Sequence, residues 1–142
     1  MPIIVAVDGD RSEEILVTEG EKLAKAFDLE LQVVHVMNRD SFRDLEEQSV
    51  EDTGKTISLD DIRSMAREIA SAAISDAGVD ATAVGLVGDP ANEVVKYAKN
   101  HATPYLVIGG KKRSAVGKAL FGSTTQSILL NSDIPVVTVM GK

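Results

Sequence analysis

The chain has no cysteine, so it cannot carry a disulfide framework, and this composition fits a reducing compartment. Aromatic residues make up only 4% of it, too few for the stacking platforms on which single-stranded nucleic acids are bound. No uninterrupted apolar stretch approaches membrane-spanning length, and Met1-Pro2-Ile3-Ile4-Val5-Ala6-Val7 lacks the basic flank of a secretory signal. A soluble cytoplasmic protein that contacts no membrane is expected. Basic residues are also in short supply: 15 Lys and Arg face 22 Asp and Glu, for a formal net charge of -7. That balance argues against an overall nucleic-acid footprint. What remains is a chain of 142 residues, long enough for one domain with its own core.

In chain order, Ile3 to Val7 is a short β-branched run that ends at Asp8-Gly9-Asp10 and predicts a strand buried on both faces. A helix is expected next, opened by a capping box of Asp10 and Glu13, with Leu16, Gly20, Leu23 and Phe27 on its inner face. Asp28 leads into a second apolar strand, Leu31 to Val36. The composition then turns polar from about 39 to 59, a stretch read as a functional loop or a solvated insertion. Ile62, Ala66, Ile69 and Ala73 recur at helical spacing and Gly78 supplies a left-handed stop. A third strand, Ala81 to Val87, is followed by Gly88-Asp89-Pro90, with aspartate as cap and proline at the first helical position. That helix turns Val94, Tyr97, Ala98 and His101 inward. Tyr105 to Ile108 is a fourth strand. A last helix begins at Gly122-Ser123, where Ser123 and Gln126 have capping-box spacing, and Ile134 to Met140 closes the chain as an edge strand next to Pro135.

Strands alternating with helices imply a parallel sheet covered on both faces, whose ligands sit beyond the carboxyl ends of the strands. Asp8, the end of Val36 and the loop after Gly109 all lie there. The stretch from Leu106 to Ser127 joins an apolar strand to a glycine-rich basic loop and then a helix start, an arrangement that gathers backbone N–H groups around phosphate. Lys111, Lys112, Arg113 and Lys118 stand out there against an acidic background, which suits a small anion. Gly117-Lys118 does not make a Walker A loop, because Lys112 stands in the place of its first glycine and Ala119 in that of its serine or threonine. No nucleophile with a neighbouring base is legible, so no catalytic residue is assigned. His35 and His101 read as structural, without partners at metal-ligand spacing, and Glu13-Glu14 reads as solvated surface. The exposed edge Val136-Val137-Thr138-Val139 calls for a cover, which a homodimer pairing two such edges would supply.

The combination of Val5-Ala6-Val7-Asp8-Gly9, Val34-His35-Val36, Gly88-Asp89-Pro90, Ile108-Gly109, Gly122-Ser123 and Ile134-Pro135-Val136 resembles the universal stress protein family across nearly the whole chain. The resemblance implies a Rossmann-like, adenine-nucleotide α-hydrolase-like α/β fold. Its layout would be a three-layer sandwich around a five-stranded parallel sheet of order 3-2-1-4-5, dimeric through the last strand. It also implies binding of ATP or AMP, with Mg2+ carried in by the nucleotide. On that pattern Asp8 faces the ribose hydroxyls, Val36 offers main-chain groups to the adenine edge, and Ile108 and Gly109 wall the sugar and phosphate. Gly122, Ser123, Thr124 and Thr125 present N–H and hydroxyl groups to the phosphates, and Ala6 stands where some ATP-binding members have proline. The family's loop carries a glycine where this chain has Lys112, so Lys111, Lys112 or Arg113 would act there in place of backbone donors. The implied function is a nucleotide-binding stress sensor or regulator acting on a protein partner. The alternatives are a nucleotide-free dimeric scaffold of the same family and, more remotely, a slow ATPase.

Overall fold

The structure is a computed structural model, and it describes residues 1–9, 13–38, 40, 43–44, 47, 58–110 and 122–140. Among these residues, five strands, β1 (Ile3–Val7), β2 (Leu31–Met37), β3 (Thr82–Val87), β4 (Leu106–Gly110) and β5 (Val136–Met140), alternate with four helices. The helices are α1 (Glu14–Phe27), α2 (Leu59–Ala77), α3 (Pro90–Asn100) and α4 (Ser123–Asn131). All strand pairs are parallel and the order is β3-β2-β1-β4-β5, as the resemblance implied. Most of the polar stretch at 39–59 lies outside the described residues.

The continuous apolar character of β1 and β2 follows from helices on both faces. Ile3, Val5, Val7 and Val33 point to one side, where Leu16, Val17 and Ala24 of α1 and Ala70 of α2 cover them. Ile4, Val34 and Val36 point to the other, against Ala91, Val94 and Ala98 of α3 and Ile128 of α4. Fully burying one such aliphatic side chain is worth about 1.5–3 kcal/mol. Two separate cores therefore hold one central sheet.

Small residues set how closely the helices approach. A Cβ on Gly20 of α1 would collide with the Val5 side chain, and one on Gly85 of β3 would collide with the Arg63 carbonyl and the Arg67 N–H of α2. The alanine-rich face of α2 lets it lie that close. Its start is fixed by a capping box that the polar composition hides: the Ser58 hydroxyl accepts from the Asp61 N–H at 3.1 Å and the Asp61 carboxylate accepts from the Ser58 N–H at 3.3 Å. Gly78, at φ 67°, closes it in the left-handed conformation expected.

Several local expectations are corrected. Asp28 does not open β2; it ends α1 in a left-handed turn at φ 54°. Phe27 is exposed and pairs with Tyr105 at a ring distance of 5.4 Å, so the inner face of α1 is Leu16, Val17, Gly20 and Ala24, with the partly buried Leu23 packed beside them. α1 begins at Glu14 with Glu13 in the cap position; Asp10, expected as its cap, lies outside the described residues. His101 is exposed at the C-terminus of α3 and stacks on Tyr97 at 3.8 Å, because the inward stripe of that helix ends at Ala98. The Asp89 cap and Pro90 opening stand as expected, with the Asp89 carboxylate accepting from the Asn92 N–H at 3.0 Å.

The Gly85 contact gives the first prediction. In Gly85→Ala the new methyl meets backbone, which cannot rotate away, so urea denaturation should show a loss of about 1–3 kcal/mol. An unchanged midpoint would mean that α2 does not ride this close to β3.

Candidate functional site

β1 and β4 pair only as far as Ile4↔Leu106 and Val5↔Val107, although β1 runs on to Val7 and β4 to Gly110. Beyond that point the two strands part. The strand order reverses at this place, since β1 has β2 on one side and β4 on the other, and such switch points open a crevice at the carboxyl ends. A cleft of about 870 Å³ lies there. Ala6, Ile108 and Gly109 line it between the parted strands, together with Asp8 at the end of β1 and Val36 on β2. The register of β1 against β2 also stops one residue short of Val36, at Val7↔His35, while β2 continues to pair with β3 through Met37↔Val87.

The far wall is the start of α4. Gly122 is its cap residue and the first helical bond runs from the Gln126 N–H to the Gly122 carbonyl. The N–H groups of Ser123, Thr124 and Thr125 therefore precede the helical ladder at the positive end of the helix dipole. The expected capping by Ser123 is not present: no side chain caps this helix, and Ser123 is its exposed first residue. Gly122, Ser123, Thr124 and Thr125 all line the cleft. Thr125 differs from its neighbours, because its hydroxyl donates to the Gly109 carbonyl at 2.7 Å and so ties α4 to the end of β4. Its side chain is a strut.

Gly109 and Gly110 are the last residues of β4, paired with Val139 and Met140 of β5. A Cβ on Gly109 would make an ordinary contact with Leu16, whereas one on Gly110 would run into the Met140 sulfur. Met140 is a flexible, exposed side chain and can rotate away, so this contact does not by itself demand glycine at 110. Lys112 and Arg113 lie outside the described residues.

Glu13 is the residue that pattern reading misses. Its carboxylate is not solvated surface; it accepts from the Asp8 N–H at 2.8 Å and from the Gly9 N–H at 2.9 Å, one bond to each oxygen. Gly9, at φ 92°, takes the left-handed conformation that points the two N–H groups to one acceptor. Burial pushes the Glu13 carboxyl up to about 7, with the Asp8 charge adding to the rise and the two backbone bonds opposing it. The only signal in the sequence is a glutamate five residues after Asp8 across a glycine turn. Pro90, Met37 and Asn38 also line the cleft without having been singled out as site residues, and the Gly88 N–H holds this rim by donating to the Met37 carbonyl at 3.0 Å.

His35 is buried, with Nδ1 2.8 Å from the Val7 carbonyl, a structural contact that also braces the cleft floor. Asp8, Glu13 and His35 are the ionisable side chains among the described residues of the cleft. Among the described residues no group of three or more His, Cys, Asp or Glu side chains is placed to hold a metal ion, and no helix is long and apolar enough to cross a membrane.

Known proteins give this geometry a family. The family model described as the universal stress protein family matches residues 1–140. A universal stress protein of Methanocaldococcus jannaschii is 23% identical over 137 residues, which cover 96% of this chain and 80% of that protein. The stress response protein NhaX of Bacillus subtilis is 33% identical over 54 residues, covering 38% of this chain and 32% of that protein. Among solved structures, a universal stress protein from Archaeoglobus fulgidus superposes with a TM-score of 0.69 at 26% identity, covering 100% of this chain and 98% of that one. A universal stress protein from Archaeoglobus fulgidus in complex with dAMP (TM-score 0.57, 21% identity) and one in complex with cAMP (TM-score 0.65, 19% identity) share the fold over 100% of this chain and 98% of theirs. The match of sequence model and fold across nearly the whole length establishes that this chain belongs to the universal stress protein family.

Proposed function

We propose that the protein binds an adenine nucleotide, ATP or AMP, in the cleft between β1 and β4. In this reading it acts as a cytoplasmic stress sensor or regulator through nucleotide-dependent contacts with a protein partner. The observation that carries the reading is the parting of β1 and β4 in front of the α4 N-terminus, which sets a carboxylate, an open strand edge and a row of helix N–H groups around one space. Each part suits a different portion of a nucleotide. The Asp8 carboxylate accepts from the two ribose hydroxyls, and the main chain of Val36 meets the adenine edge. Ala6, Ile108 and Gly109 wall the sugar and phosphate, and the N–H groups of Gly122, Ser123, Thr124 and Thr125 receive the phosphates. The dAMP and cAMP complexes of proteins with this fold support the same ligand class.

Lys112 and Arg113 belong to this reading as side-chain phosphate ligands, in the loop where the family pattern has a glycine. A magnesium ion carried by the phosphates would meet the Asp8 carboxylate at the mouth. The Glu13 carboxylate is already engaged by backbone N–H groups.

A second reading, a dimeric scaffold without nucleotide, is favoured by Lys112 at the glycine position and by the β5 edge. Met140 at the end of that strand and Leu129 and Leu130 on α4 are exposed apolar side chains, which a second copy pairing along Val136, Val137, Thr138 and Val139 would cover. The two readings are compatible in one dimer that also binds nucleotide.

Calorimetry with ATP and with AMP, each with and without magnesium, is the direct test. Binding is expected, and Asp8→Ala should weaken it roughly tenfold or more, the effect of deleting hydrogen bonds to a charged group. Gly122→Val, which crowds the cap of α4, should weaken it as well. Absence of binding in the wild-type protein would remove the nucleotide reading, and unchanged affinity in both variants would move the site elsewhere. Thr125→Val keeps the side-chain shape but deletes the bond to Gly109, and should cost about 1 kcal/mol in urea denaturation. Light scattering should return twice the chain mass for the wild type and a lower mass for Met140→Lys; a monomeric wild type would remove the dimer.

A further inference from the structure

We infer that Thr125 is a positioning residue for the phosphate end of this cleft. Its hydroxyl engages the Gly109 carbonyl, so that beyond the last β1–β4 pair the β4 edge turns an N–H donor, and no bare acceptor, toward an anion. The inference rests on the nucleotide reading above.

The direction of the Gly109 groups follows from the ladder. In a parallel sheet the N–H and C=O of one residue point to the same neighbouring strand, and those of the next residue point to the other. The Leu106 N–H donates to the Pro135 carbonyl at 3.0 Å, so the main chain of Leu106 faces β5. By alternation Ile108 and Gly110 face β5 as well, whereas Val107 and Gly109 face β1. Val107 still meets β1, at Val5↔Val107. Gly109 lies past that last pair, and its main-chain groups open into the gap between the strands.

A strand tip of this kind presents one donor and one acceptor, and toward a phosphate they act oppositely. The N–H attracts an anionic oxygen and the carbonyl oxygen repels it. The Thr125 hydroxyl, half-buried in the cleft wall, donates to that carbonyl at 2.7 Å. Its proton offsets the partial negative charge of the oxygen and holds the peptide in one orientation. The Gly109 N–H is then left facing the gap, on the same cleft as the N–H groups of Ser123, Thr124 and Thr125 that precede the α4 ladder. Because the bond joins the β4 tip to the first turn of α4, it also sets the spacing between the two sets of donors. The Thr125 hydroxyl proton is committed to this bond, so the side chain acts on a phosphate only through Gly109. Lys111 to Arg113 lie outside the described residues. They are the same in every protein compared below, so their charge cancels in the comparison.

The test uses the full chain, with AMP and adenosine as probes, because their ratio of affinities isolates what the phosphate adds. Wild-type protein should bind AMP more tightly than adenosine in calorimetry. Thr125→Val keeps the side-chain shape and leaves the Gly109 carbonyl bare. In that variant the ratio should fall roughly tenfold, the order of one hydrogen bond to a charged group, with adenosine affinity nearly unchanged. Thr125→Ser restores the hydroxyl and should restore the ratio. A strut that is merely structural weakens both ligands alike, so equal losses or an unchanged ratio in Thr125→Val would overturn the inference. Wild-type protein that binds AMP no more tightly than adenosine would overturn it too, while leaving the nucleotide reading intact. If the wild type binds neither, both are lost.

The wild-type protein gives a second readout, which holds even if Thr125→Val fails to fold. In proton–nitrogen correlation spectra the Gly109 amide proton should move downfield on addition of AMP, as an N–H does when it donates to an anionic oxygen, and adenosine should leave it in place. A Gly109 amide that stays unmoved in a protein saturated with AMP would remove the donor edge that Thr125 is inferred to set.

Discussion

The parting of β1 and β4 after Val5↔Val107 is the constraint on which the rest of the site depends. In a parallel sheet the chain leaves each strand at the same end, and here α1 leaves β1 toward one face while α4 follows β4 toward the other. The two connections diverge, and the tips of β1 and β4 stop pairing with each other while β1 still pairs with β2 and β4 with β5. The tips of β1 and β4 are where Ala6, Asp8, Ile108 and Gly109 stand. Two hydrogen bonds keep the gap in shape: the Thr125 hydroxyl on the Gly109 carbonyl, and the Gly88 N–H on the Met37 carbonyl. Both fasten a helix start to the end of a strand, so the helix N–H groups of the cleft face a fixed wall.

The same cleft is electrostatically divided. The α4 N-terminus offers uncommitted N–H groups and partial positive charge, whereas the β1 turn is lined by the carboxylates of Asp8 and Glu13. A ligand with hydroxyl donors at one end and anionic oxygens at the other fits that division, and a nucleoside phosphate is such a ligand. Glu13 serves two purposes: it satisfies two backbone donors of a left-handed glycine turn, and it carries a charge that the half-buried site tolerates poorly. The first purpose orders the turn under Asp8.

Away from the cleft the scaffold is closely packed. Gly20 and Gly85 bring α1 and α2 against the sheet at distances that leave no room for a methyl group. Rigid packing on this face holds the strand tips in register. Exposed apolar side chains remain at Leu129 and Leu130 on α4 and at Met140 on β5, the strand with an open edge.

The sequence by itself determined the layering and the element order. Continuous β-branched runs at Ile3 to Val7 and Leu31 to Val36 can only be strands covered on both faces, and Asp89-Pro90 and Gly78 act through local backbone geometry that needs no distant partner. Family motifs carried the strand order and placed Asp8, Val36, Gly109 and Gly122 at one end of the sheet, where the structure has them. Tertiary structure alone decided what the polar side chains do. Ser123 has capping-box spacing yet caps nothing, and Thr125, two residues on, is a strut to Gly109. His101 continues a periodic stripe but falls just past the sheet. Glu13 reads as surface until the Gly9 turn brings two N–H groups to its oxygens. Periodicity and caps are encoded within a few residues, whereas the partner and burial of a polar group depend on which backbone folds back against it, and that is fixed only once the sheet has formed.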